Sequence, residues 1–108
     1  MIEKSIKETP FKVRAPGQDD RESSETFSLV LQVKIRKKDD RKFDTRLTEC
    51  RNEIIDKVTT VLQTATPEQR MENGHTTIKA KAKEAINEVL GIPYVQQVMV
   101  TEFNYETS

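Results

Sequence analysis

The sequence predicts a small α+β domain, and three stretches carry that reading. Phe27, Leu29, Leu31, Val33 and Ile35 occupy every second position, with Ser28, Gln32, Lys34 and Arg36 filling most of the intervening ones. That alternation is a strand with one buried and one wet face. Phe43, Leu47, Cys50, Ile54, Val58, Val61 and Leu62 then step by three and four, with Ile55 widening the stripe. Over about five turns this marks one face of a long helix. Finally, Thr76 to Tyr105 reads as a helix, a stop and a strand.

Residues 1–8 read as a charged, frayed lead-in, and residues 9–108 as a single domain. Phe11, Val13 and Ala15 alternate with Lys12 and Arg14 in a short strand. Pro10 ahead of it confines that strand to an edge or a strand start. From Pro16 to Glu25 there is no large apolar residue, so the spacing predicts a solvated hairpin loop leading to the strongest strand. Asp39 or Asp40 is placed to cap the long helix. Thr66, Pro67 and Gln69 have capping-box spacing with Pro at the first helical position, which predicts one or two further turns.

Asn73 and Gly74 break that segment before the last helix. Ile78, Ala82, Ala85, Ile86, Val89 and Leu90 give its apolar face; Gly91 suits a left-handed C-cap and Pro93 blocks continuation. The final strand sets Val95, Met99, Thr101, Phe103 and Tyr105 against Val98 and Val100, apolar on both faces. Such a strand is expected at the centre of its sheet or covered on both sides. The order predicts a small antiparallel sheet of about three strands, with two main helices and a short one packed on one face.

The 108 residues fit one domain, and 18 basic against 18 acidic side chains leave no global field to draw nucleic acid. A third of the chain is charged, which predicts a thin core beneath much solvated or partner-covered surface. No apolar run reaches the roughly 18 residues that a membrane-crossing helix needs.

Chemistry is sparse. His75 is the only histidine and Cys50 the only cysteine, which excludes a His-based metal cluster and a multi-cysteine site within one chain. Cys50 lies on the apolar stripe, where a buried, inert thiol is expected, and His75 beside Gly74 suits a surface or capping role. The paired carboxylates Asp19 with Asp20 and Asp39 with Asp40 sit in charged loops, and the isolated glycines form no phosphate cradle. Neither catalysis nor a cofactor is expected. The basic run Lys34, Arg36, Lys37, Lys38, Arg41 and Lys42 is interrupted by Asp39 and Asp40 and lacks interleaved aromatics. It reads first as a solvated face, with nucleic acid or anionic lipid headgroups as lesser readings.

The residue order resembles the FliL family of bacterial flagellar basal-body-associated proteins. The resemblance is carried by Pro10 and Phe11, by Arg51, Ile54, Ile55 and Leu62, by Gly74, by Ile86, Asn87 and Leu90, and by Val98 and Phe103. It implies a non-enzymatic periplasmic domain of stomatin-like (SPFH-like) fold. That domain would form a homo-oligomeric ring that supports the stator units and motility at the inner membrane. The family's attachment is an N-terminal transmembrane helix, so membrane contact through an anchor absent from this chain is expected. Beside this stands a second class of function, a free-standing binding module whose basic face from Lys34 to Lys42 engages an anionic polymer or membrane surface.

Overall fold

A computed structural model describes residues 1–16 and 24–106. The order is β1 (Ile2–Ser5), β2 (Phe11–Pro16), β3 (Ser24–Ile35), α1 (Asp40–Thr64), α2 (Pro67–Arg70), α3 (Thr76–Leu90) and β4 (Val95–Glu106). Short 3-10 turns, Lys37–Asp39 and Asn73–His75, precede α1 and α3. The expected α+β class holds, with an antiparallel sheet and the helices on one face.

The sheet has four strands, not three. The segment expected to be a frayed lead-in supplies the extra one, pairing Ile2 with Ile35 and Ser5 with Gln32. β3 is long enough to serve two partners in tandem on one side: β1 along residues 32–35 and β2 along 24–29. Ile6, in the link between them, is fully buried and ties the connection to the core. The β2–β3 pairing is antiparallel, as expected of a hairpin; residues 17–23 of the loop expected between Pro16 and Glu25 lie outside the described residues.

On the other side of β3 runs β4, hydrogen-bonded to β3 alone among the described strands. Its two-faced apolar pattern therefore does not mark a central strand. Two register shifts explain it. Between Lys34 and Ile35, and again between Ser28 and Val30, β4 carries one residue more than β3. Each extra residue reverses the parity of the rest of the strand. Val95, then Val98 and Val100, then Phe103 and Tyr105 thereby share the face of Phe27, Leu31, Val33 and Ile35. Met99 and Thr101 turn the opposite way, in register with Gln32 and Val30.

Against that face α1 buries Phe43, Leu47, Ile54, Val58 and Leu62, and α3 buries Ile78, Ala82, Ala85, Ile86 and Leu90. Cys50 and Ile55 are half-buried against the same core, so the thiol expected to be buried is partly accessible. Asp39 holds the N-cap position of α1 but makes no side-chain capping bond. The Thr66 and Gln69 capping box forms as the sequence predicts, with Pro67 at the start of α2. Gly91 ends α3 at φ 77°, its N–H donating to the Asn87 carbonyl at 2.9 Å.

Candidate functional site

The residues singled out in the sequence divide between core and surface. Phe11, Ile54, Leu62, Ile86, Leu90 and Val98 are buried, and Ile55 is half-buried. Pro10 is exposed just ahead of β2, and Arg51 is exposed on α1. Gly74 adopts φ 77°, a left-handed turn that glycine enters without a Cβ penalty. Phe103 stacks on Phe27, with ring centroids 5.4 Å apart. Asn87 bridges α3 to β4: its Nδ2 donates to the Val95 carbonyl, and its Oδ1 accepts the Val95 N–H.

Cys50 and His75, the single cysteine and the single histidine, are not held together as a nucleophile and base would be. Cys50 packs against the core from mid-α1, whereas the His75 ring lies 4.5 Å from that of Phe103. His75 also has a left-handed backbone, φ 53°, and occupies the N-cap position of α3 without a capping bond from its side chain. Glu72 does the capping instead, accepting the Thr77 N–H at 3.2 Å. Burial lowers the His75 pKa, the Lys79 charge lowers it further, and Glu72 opposes both. No group of three His, Cys, Asp or Glu side chains among the described residues is placed to hold a metal.

Two buried or bridging cations carry no signal in the sequence. Arg70, at the end of α2, is 1% exposed; its Nη1 donates to the Ala65 carbonyl at 2.7 Å and its guanidinium lies over the Phe27 ring. Lys4 on β1 reaches Asp40 at 2.7 Å and Asp44 at 2.9 Å in the first turns of α1. Hydrogen bonds to Asp40 and then Asp44 raise the Lys4 pKa. Lysine in a sheet strand gives no local hint of such a contact, because its partners lie 36 and 40 residues away.

The basic run is divided by the fold. Lys34 joins the open sheet face, in register with Glu3 and Gln97. Arg36, Lys37, Lys38, Arg41 and Lys42 are exposed around the 3-10 turn and the start of α1. On the outer side of the helix layer, a groove of about 540 Å³ runs between α1 and α3. Glu53, Asp56, Glu84 and Glu88 outnumber Lys57 and Lys81 along it, and Val61 and Ala85 contribute apolar surface.

Residues 7–105 match the family described as flagellar basal body-associated protein FliL. This chain belongs to the FliL family. The match begins in the link after β1 and reaches nearly to the end of β4, so β2, β3, both long helices and the Asn87 bridge fall within it, and β1 lies ahead of it. Membership makes this a flagellar basal-body-associated chain, of a structural family. No curated protein matches the chain. No helix among the described residues is long and apolar enough to cross a membrane.

Proposed function

We propose that this FliL domain is a non-enzymatic scaffold that closes into a homo-oligomeric ring of stomatin-like subunits at the periplasmic face of the inner membrane. There it supports the stator units that drive motility. The observation that carries the reading is the family match across residues 7–105. The fold is compatible with self-association, since among the described strands β4 is hydrogen-bonded to β3 alone and offers a further edge to a neighbour. Single contacts between such small domains are weak in solution. Holding many copies beside one another on a membrane raises their effective concentration enough for head-to-tail contacts to close a ring.

The test is a version of this chain fused to a transmembrane helix and expressed in a flagellated host. Rings in purified detergent samples, foci at flagellar bases and impaired swimming on deletion are expected. Diffuse membrane signal, no rings and unchanged swimming would overturn the proposal.

A further inference from the structure

One end of this elongated domain, 46 Å in its longest dimension, collects features that nothing inside the fold uses. There Ile2 and Val95 flank Ile35 across the sheet, Phe43 packs edge-on against Tyr94, and Arg46 Nε donates to the Leu90 carbonyl. These contacts bring the start of α1, the turn after α3 and the beginning of β1 together. Around them stand Arg36, Lys37, Lys38, Arg41 and Lys42, all exposed, and none forms an ion pair among the described residues.

The carboxylates beside this run balance it only in part. Asp40 and Asp44 share the single charge of Lys4, so with Asp39 they leave two net negative charges beside five cations. Arg41 and Lys42 also lie in the first turn of α1, where the helix dipole disfavours positive charge. A cluster that is electrostatically unfavourable within the protein is suited to an anion outside it.

Beside the cations is an apolar tip. Gly91 ends α3, Tyr94 is anchored under Phe43, and the Tyr94 N–H donates to the Ile92 carbonyl at 2.7 Å. This tight turn holds Ile92 outward at 48% exposure, next to exposed Pro93. Met1, ahead of the strand partner of Ile35, is 74% exposed at the same end. Exposed cations at the same end as a projecting branched aliphatic side chain match the headgroup layer of an anionic bilayer. The cations meet phosphate, and the isoleucine enters the acyl boundary.

We propose that this end of the domain rests directly on a membrane rich in anionic phospholipid, through Arg36, Lys37, Lys38, Arg41, Lys42 and Ile92. The contact goes beyond the ring reading, and failure of ring assembly in cells would leave it intact. It would also orient each subunit, with the strands running away from the lipid surface.

The experiment is flotation of the untethered chain with vesicles containing phosphatidylglycerol, alongside vesicles of phosphatidylcholine alone. Binding to the first and not the second is expected at about 0.05 M salt, with release near 0.5 M. The combined variant Lys37→Gln, Lys38→Gln, Arg41→Gln, Lys42→Gln should lose on the order of several hundredfold in partitioning, since each of the four cations near such a surface contributes about fivefold. Ile92→Ser should weaken binding severalfold while leaving its salt dependence unchanged. Lys57→Gln with Lys81→Gln, in the α1–α3 groove, should have no effect. The substituted side chains are exposed, and thermal melts matching the parent would show that the fold is kept.

Failure of the parent to float, equal binding to neutral vesicles, or an equal loss in the groove variant would each overturn the proposal. Heparin binding as tight as vesicle binding, with Ile92→Ser silent, would make the cluster a general polyanion site and overturn it as well.

Discussion

The side chain of Asn87 makes both hydrogen bonds that a neighbouring strand residue would make to Val95. Its Nδ2 donates to the Val95 carbonyl at 3.1 Å, and its Oδ1 accepts the Val95 N–H at 2.9 Å. A helix residue thus completes the start of β4 and fixes where the chain re-enters the sheet after Gly91. Asn87→Ala would leave two backbone groups in a partly buried place without partners. The expected cost is about 1–3 kcal/mol in urea denaturation. Asn87→Asp keeps the acceptor but loses the donor, and should fall between the two. A silent Asn87→Ala would show that water replaces the bridge.

The apolar layer gives a second expectation. Leu31 and Ile54 are almost inaccessible, one facing the helices from β3 and the other facing the sheet from α1. Leu31→Asp or Ile54→Asp should abolish cooperative unfolding, at about 3–5 kcal/mol for a buried unpaired charge. Ser28 is only half-buried on the opposite sheet face, in register with Lys12 and Asn104. Ser28→Asp should therefore be nearly silent, and the reverse order in thermal melts would invert the assigned faces.

The features legible in the sequence are local ones. The Thr66 capping box, the Gly91 stop, the β3 alternation and both helical stripes depend on residues within a few positions of one another, and all are present in the fold. β1 is not legible, because Ile2 and Lys4 carry too little apolar signal in four residues. Its strand character comes from pairing with β3 some thirty residues on. The edge position of β4 is hidden for a different reason. Periodicity assumes constant parity, and two extra residues make one apolar face look like two. Arg70 gives no local signal at all, because its burial is created by Phe27, an aromatic more than forty positions earlier. Of the surface features, the basic run is visible, but its convergence with Ile92 requires the closure of α3 onto the start of α1.

His75 gives an expected pH dependence. Its Nδ1 is buried and has no hydrogen-bond partner among the described residues, and burial holds its pKa below the ordinary 6.5. The groups around it are Glu72 in the preceding turn and Lys79 on α3, with the Phe103 ring packed against it from β4. Because the folded protein binds this proton less readily than the unfolded chain, its contribution is complete above 6.5 and lost as pH falls through the lower folded value. Melting temperature should therefore drop as pH falls below about 6.5, and His75→Gln should flatten that part of the profile relative to the parent. An identical profile in the variant would assign the acid sensitivity to carboxylates instead.

Glu102 carries the last prediction. It has φ 51°, in the left-handed region, within the three-residue step of β4 from Thr101 to Asn104 that spans only Val30 to Ser28 on β3. The left-handed residue accommodates the extra length and returns Phe103 to the core side, where its ring stacks on Phe27 and meets Tyr105 edge-on at 5.2 Å. Glutamate has no preference for that backbone, so Glu102→Gly should be neutral to mildly stabilising, by up to about 1 kcal/mol. Glu102→Val should cost about 1–2 kcal/mol, because a branched Cβ fits that backbone poorly. Deleting Glu102 is the sharper test. With the extra residue gone the ladder can close regularly: Thr101 stays opposite Val30 and Asn104 opposite Ser28, Phe103 comes opposite Leu29, and Phe103 and Tyr105 keep the core face. The deletion should therefore keep the Phe27 stack and the near-ultraviolet dichroism of the aromatic cluster, with stability changed by no more than about 1 kcal/mol. Loss of that signal with a drop of roughly 2 kcal/mol or more would show that the end of β4 depends on the extra residue to hold its place.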